Sequence, residues 1–390
     1  MPVKKNLLIF VPDGTGIKNY LLSDFLKYAS AQFNVTIAHN FNEKVNDEIN
    51  AEAYNLNKVK IPPYSENATS KFYRESITYA RLLYNSRIKN NDSILKNWRR
   101  QFKFGYKFIF YKIVEIYGNY LSKDYQRIEK LNNYYHKREL SLESSKAYQK
   151  LLEDNKIDIV FTTHQRSVLN VPLFAAAKKL NKTSVSVIYS WDNMPKARIP
   201  YFSDYFFVWS DYMKSEFESY YPEIDKDKIR LTGTPQFEFY LDKTLIEAKP
   251  IFFKKHQLDE NRPVVCFSGD DRLTSPFDPD YLRNMAEIFS KLKKEVRPQI
   301  ILRPCPADNG KRFKAVLKEF PEIKNIPPDW FESKSDSHWS VKFPKRNDIK
   351  QLVNLAYHSD AVVNVGSTMA HDFAMFEKPA FYLNYKPESQ

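Results

Sequence analysis

The sequence predicts an α/β protein made of two doubly wound domains, with a helical insertion in the first. Three observations predict it. Short apolar, β-branched runs alternate with helical periods in two separate series. That alternation stops between about residues 71 and 152, where Tyr, Leu, Ile and Lys recur at three- and four-residue spacing. The stretch from Asp360 to Asn384 then reads as a strand, a glycine-serine-threonine turn, a short helix and a second strand.

Taken in order, residues 7–11 form the opening strand, followed by Pro-Asp-Gly14-Thr-Gly16 and a helical pattern over 17–29 with Tyr20, Leu21, Phe25 and Tyr28 on one side. Residues 35–38 are the next strand. After the insertion, strands are expected at 157–162, 184–189, 205–209 and 229–232, and helices at 168–180 and 212–220. Weak periodicity and Pro250 place the interdomain connection at 241–261, between domains 1–240 and 262–390. The second series has strands at 264–267 and 299–302, helices at 281–293, 311–319 and 349–357, and then the closing motif. There 361–365 is strand, 369–376 is helix stopped by Lys378-Pro379, and 380–383 is strand. Parallel sheets covered on both faces put functional residues in the loops at strand C-termini.

With 390 residues and 43% hydrophobic composition, the chain can bury two ordinary cores. Cys266 and Cys305 are the only cysteines and both lie in apolar or Pro-flanked runs, which argues against a disulfide framework and favours a reducing, cytoplasmic setting. The apolar part of residues 1–10 is too short for a signal sequence, and no run approaches the roughly 20 apolar residues of a membrane span. The net charge of +13 calls for an anionic partner. It is concentrated: between Arg87 and Lys112 eight Lys or Arg face a single Asp92. From Trp98 to Lys112 there are seven aromatics, five cations and no acid, so segment 87–112 could lie on an anionic membrane surface and hold the protein peripherally on its inner face. A core helix with snorkelling lysines is the alternative, and no recognisable module supports nucleic acid as a partner.

Two further motifs carry a resemblance. Residues 207–214, Phe-Val-Trp-Ser-Asp-Tyr-Met-Lys, with the Thr-Gly-Thr-Pro of 232–235, resemble the end of a GT-B acceptor domain. Ser359-Asp-Ala-Val-Val through Ser367-Thr368 and Glu377-Lys-Pro379 resemble the donor signature of GT-B glycosyltransferases and of the glycerophosphotransferase and capsule polymerase branch that builds bacterial surface polymers. The motifs cover about 200–240 and 295–385. The chain departs from the pattern in having Asp372 where Glu is usual and Cys305-Pro306 where the glycerophosphotransferase branch has His-Pro. It also stops at Gln390, where GT-B proteins continue into further helices, which leads to the expectation of a truncated end. The resemblance implies two Rossmann-like domains facing a cleft, with a nucleotide on the second.

On this reading Gly366, Ser367 and Thr368 bind a diphosphate through backbone N–H groups and hydroxyls, and Asp372, one turn on, holds the ribose. Arg303, at a strand end, offers a fork to the leaving phosphate, and Ser268, Gly269 and Asp270 let backbone approach the donor. Asp278-Pro279-Asp280 matches a metal-binding DxD only superficially, since Asp280 is expected to cap a helix, so no metal is expected. In the first domain Gly14 and Gly16 contact an acceptor, and Trp191 is a stacking platform for sugar. His164 and Asp192 are rival bases, both at strand ends.

The expected activity is metal-independent glycosyl transfer from a nucleotide sugar, UDP- or CMP/CDP-linked, to a cell-surface glycan or lipid-linked acceptor, without a cofactor. The alternatives are a CDP-polyol phosphotransferase, a sugar-nucleotide epimerase, and a non-catalytic glycan or membrane binding protein.

Overall fold

Seven strands, β1 (Asn6–Phe10), β2 (Asn34–Ala38), β3 (Asn57–Val59), β4 (Ile159–Thr162), β5 (Thr183–Val187), β6 (Tyr205–Val208) and β7 (Ile229–Leu231), pair in parallel in the order β3-β2-β1-β4-β5-β6-β7. Leu7 of the central β1 pairs with Val35 on one side and Ile159 on the other. Leu8, Ile9 and Phe10 are fully buried, because both faces of a parallel sheet are covered by helices. The computed structural model describes residues 4–41, 44–49, 54–98, 102, 104–331 and 342–387.

Helices α1 (Phe25–Gln32) and α2 (Lys44–Ile49) precede the insertion, which is formed by α3 (Ala68–Ile88), α4 (Tyr106–Leu121), α5 (Tyr125–Ser141) and α6 (Lys146–Asp154); α7 (Asn170–Lys179) and α8 (Asp211–Tyr220) complete the unit. Asn67 caps α3 by accepting a hydrogen bond from the Ser70 N–H, and Asp124 caps α5 by accepting from Gln126. Helix α4 buries Tyr111, Val114, Gly118 and Leu121. A Cβ on Gly118 would meet the Tyr79 ring at 2.8 Å and the Ser76 carbonyl oxygen at 3.1 Å, so only glycine lets α4 approach α3 this closely. The buried Arg81 of α3 reaches Glu223 and the Tyr125 hydroxyl, and stacks over Tyr221 with its guanidinium 4.7 Å from the ring centroid. This network joins α3 and α5 to the segment after α8.

The second sheet contains β8 (Val264–Ser268), β9 (Gln299–Arg303), β10 (Lys324–Asn325), β13 (Ala361–Asn364) and β14 (Ala380–Tyr382), ordered β10-β9-β8-β13-β14 and parallel throughout. Two short strands, β11 (Trp330–Phe331) and β12 (Phe343–Pro344), pair antiparallel beside it in sequence. Its helices are α9 (Lys249–His256), α10 (Asp278–Ser290), α11 (Lys314–Glu319), α12 (Arg346–His358) and α13 (Met369–Ala374). Phe267, Leu282, Ile300, Leu302, Phe313 and Val316 form much of the core between β8, β9, α10 and α11.

The α/β class with two parallel, doubly wound sheets agrees with the sequence. The chain divides into one unit of Met1–Gly16 with Phe25–Thr234 and another of Ile17–Asp24 with Pro235–Gln390. The expected helix over 17–29 is therefore replaced by a single π-helical turn, Ile17–Leu21, followed by α1. Ile17, Tyr20, Leu21 and Leu22 are buried, and the turn packs against Pro235–Tyr240 and β12 of the second unit. Segment 241–261 holds α9, which begins with Pro250 in its first turn. Asp280 lies inside α10 and pairs with Arg283, so it is not the expected cap.

Candidate functional site

In each sheet the first strand is central and the chain reverses its winding beside it, between β1 and β4 in one unit and between β8 and β13 in the other. The crevice outside the strand C-termini at such a reversal is where open α/β sheets bind ligands.

In the second unit this reversal is polar. The Ser268 hydroxyl at the end of β8 donates to Ser367 Oγ at 3.1 Å. The Ser367 N–H donates to Asn364 Oδ1 at 2.9 Å, and Ser367 Oγ accepts from the Met369 N–H at 3.3 Å, which starts α13. A Cβ on Gly366 would meet nothing within 4 Å, so the backbone there is approachable. Asp270 sits against the Gly366 N–H. Burial, helped by the neighbouring Asp278, pushes its carboxyl up to about 7, and the Gly366 N–H only partly offsets this. Asp278 itself accepts from the Asp270 N–H and from the Ser275 hydroxyl, and pairs with Arg312. The predicted residues Ser268, Gly269, Asp270, Gly366, Ser367 and Thr368 thus come from two adjacent strand ends.

Arg303 is placed differently from the expectation. It is 3% exposed, and its terminal nitrogens donate to Asp348 Oδ1 and to Gln351 Oε1, each at 2.8 Å. Asp348 also accepts from the Asp329 N–H and the Trp330 indole N–H. The guanidinium is a structural tie to α12, with no open fork for a phosphate. Asp372 is buried in the first turn of α13 and lies near Lys18 and Tyr240. Burial drives the Lys18 ammonium down from its ordinary value, while Asp372 and Asp348 pull it back up. Burial raises the Tyr240 phenol well above its usual range, and Asp372 adds to the rise. Lys18 was missed from the sequence. Its signal was a lone cation inside the apolar run Ile-Lys-Asn-Tyr-Leu-Leu directly after a glycine turn. Cys305 is half-buried, and desolvation by its surroundings holds its thiol up at about 12 and keeps it protonated.

At the reversal in the first unit, Gly14 and Gly16 form a tight turn after β1, and Thr163 and His164 follow β4. A Cβ on Gly16 would lie 2.1 Å from Thr163 Oγ1, so this approach demands glycine. His164 Nδ1 lies 2.6 Å from Asp13 Oδ2, and Arg166 Nε–H donates to His164 Nε2 at 3.3 Å. These contacts fix the tautomer with its proton on Nδ1. Asp192 is different. Burial raises its carboxyl, but the Lys196 ion pair and the Ser190 hydroxyl outweigh burial and hold it below the usual range. Asp192 is accordingly held as a carboxylate in that ion pair. Trp191, 42% exposed, stands between Ser190 and Asp192.

A hollow of about 640 Å³ opens at the other end of this sheet, lined by Thr183, Tyr205 and Arg230 among others, near the N-terminal ends of β5 to β7. It is remote in the fold from the strand ends that carry the candidate residues. No helix among the described residues is long and apolar enough to cross a membrane. Of segment 87–112, residues 99–101 and 103 lie outside the described residues.

No protein-family model and no curated protein sequence matches the chain. Solved structures do. The UDP-GlcNAc 2-epimerase from Methanocaldococcus jannaschii is 14% identical with a TM-score of 0.51, over 98% of this chain and 85% of that one. The UDP-GlcNAc 2-epimerase from Neisseria meningitidis bound to UDP-GlcNAc is 12% identical with a TM-score of 0.51, over 98% and 84%. A glycosyltransferase from Rickettsia africae is 12% identical with a TM-score of 0.52, over 97% and 78%. At these identities the likeness shows the fold, two Rossmann-like domains of GT-B type. It also corrects the expectation of glycosyl transfer, because the structures that share the fold are mostly UDP-GlcNAc 2-epimerases, named for a change within the nucleotide sugar. The fold of this chain is the one these UDP-GlcNAc 2-epimerases and this glycosyltransferase share.

Proposed function

We propose that the chain is a sugar-nucleotide epimerase, with the nucleoside diphosphate of its substrate held at the β8–β13 reversal. The observation that carries this reading is the pairing of Ser268 with Ser367 beside the open backbone of Gly366, at the position where a parallel sheet of this winding takes a ligand. The Ser367 hydroxyl accepts from Ser268 and from the Met369 N–H, so its own proton would donate to a diphosphate oxygen, beside the Gly366 N–H that Asp270 now holds. Asp372 would accept hydrogen bonds from ribose hydroxyls, and Lys18 beside it would balance its charge.

Epimerisation inverts one carbon and leaves the composition of the substrate unchanged, so it calls for no acceptor. A proton must leave the carbon to a positioned base on one face, and a solvent-derived proton must return from the opposite face. The proposal involves the nucleotide sugar as substrate and no resident cofactor.

Incubation of the protein with UDP-GlcNAc in D₂O, without any acceptor, tests it. A second sugar nucleotide carrying deuterium at the inverted carbon is the expected product, and its formation at low substrate should fall at least about tenfold in the double variant Ser268→Ala, Ser367→Ala. Absence of conversion for UDP-, CDP- and GDP-sugars alike would overturn the assignment, and tight binding of CDP-glycerol alone would favour polyol phosphate chemistry.

A further inference from the structure

Helix α4 is apolar on two sides. One side, Tyr111, Val114, Gly118 and Leu121, is buried against α3. On the other, Tyr106, Ile109, Ile113, Ile116 and Tyr120 recur at three- and four-residue spacing and are exposed, Tyr106 to 78% and Ile116 to 72%. Phe104, just before the helix, is 88% exposed. At 100° per residue the two stripes are on nearly opposite faces, and among the described residues the outer one stays exposed, with only Tyr120 met by Arg127 of α5. Isolated apolar side chains on a surface need no explanation, but a continuous stripe along sixteen residues of helix does.

The charges around it are mainly positive. Lys107 lies over the rings of Phe102 and Tyr106, Lys112 over Phe108, and Arg127 over Tyr120. The one acid within the helix, Glu115, is taken up by Lys112 and by the Trp98 indole N–H. Beyond the helix, Lys123 is exposed, and the adjoining Asp124 is engaged in capping α5. Cations packed on aromatic rings at the edge of an aliphatic stripe suit the headgroup level of a bilayer, where rings and aliphatic chains enter the acyl boundary while ammonium and guanidinium groups meet phosphates. A symmetric contact between two copies through the same face would set these cations against one another.

We propose that the outer face of α4 is a docking surface for an anionic lipid bilayer, on which the helix lies in the plane of the interface. The proposal concerns the first unit alone and does not depend on the epimerase reading. Co-sedimentation of the full chain with phosphatidylcholine vesicles, with and without phosphatidylglycerol, tests it. Binding is expected to the anionic vesicles and to weaken with added salt. The triple variant Ile109→Gln, Ile113→Gln, Ile116→Gln should weaken it at least about tenfold, since each buried aliphatic group contributes to insertion. These side chains point away from α3, and an unchanged circular dichroism melt confirms that the fold survives. The pair Lys107→Glu, Lys112→Glu should lower binding without touching the stripe. Three results would overturn the proposal: no sedimentation with anionic vesicles, equal sedimentation with neutral ones, or a dimer in light scattering that the triple variant dissolves while vesicles bind neither protein.

Discussion

At Gly16 a single hydrogen keeps the turn after β1 compatible with Thr163, since a methyl group there would sit 2.1 Å from Thr163 Oγ1. Gly16→Ala should destabilise the chain by about 1–3 kcal/mol, read from urea unfolding, because the clash is with a packed side chain at a strand end. Asp270 offers a test by pH. Its folded value is about 7 against an ordinary 3.8, so between those values the unfolded chain releases a proton that the folded chain keeps. Stability contributed here therefore falls as pH rises through that window and is level above it. Asp270→Asn should be more stable than the wild type at pH 8 and equal to it near the acid end of the window. The same group faces the proposed diphosphate subsite. Below about pH 7 its neutral carboxyl can donate to a phosphate oxygen, and above it the carboxylate repels one. Calorimetric affinity for a nucleotide sugar, whose diphosphate keeps constant charge near neutrality, should drop as pH is raised past 7, and Asp270→Asn should remove that dependence. A flat profile in the wild type would disconnect Asp270 from the ligand.

Among the elements, α3 depends on Arg81, which is buried between Glu223, Tyr125 and Tyr221. Arg81→Met would strand the Glu223 carboxylate, at a cost of about 3–5 kcal/mol. The double variant with Glu223→Gln should recover most of it, and thermal unfolding of the two variants makes the comparison. The sequence showed the strands well where they are apolar and β-branched, as at β1, β4 and β8. It hid β3, whose Asn-Lys-Val carries little apolar signal, and α9, because Pro250 reads as a break although the first helical turn tolerates it. The π-helical turn of Ile17–Leu21 has no periodicity of its own and mimicked the start of α1. At the site, the glycine-serine turns were visible locally. The pairing of Asp13 with His164, 151 residues apart, and of Arg303 with Asp348 arises only when strands are brought side by side, so neither could be read in advance.

At the scale of the whole molecule, the same winding is used twice, with the first strand of each unit central and its reversal beside it. Yet the two units are not consecutive lengths of chain. The chain passes from one to the other after Gly16, returns after Asp24, and passes over again after Thr234. The eight-residue excursion supplies the second unit with buried Ile17, Tyr20, Leu21 and Leu22, with a Leu22 carbonyl that accepts from Arg346, and with an Asp24 N–H that donates to Glu238. Residues 235–390 expressed alone should therefore yield a loosened product that binds the dye ANS, while coexpression of the 1–234 fragment should restore a cooperative melt. The lobes cannot be traded between homologues as interchangeable cassettes: a chimera spliced near position 235 would inherit a foreign patch inside its second half, and recombination that respects this fold has to move the short N-terminal loop together with the distant half it completes.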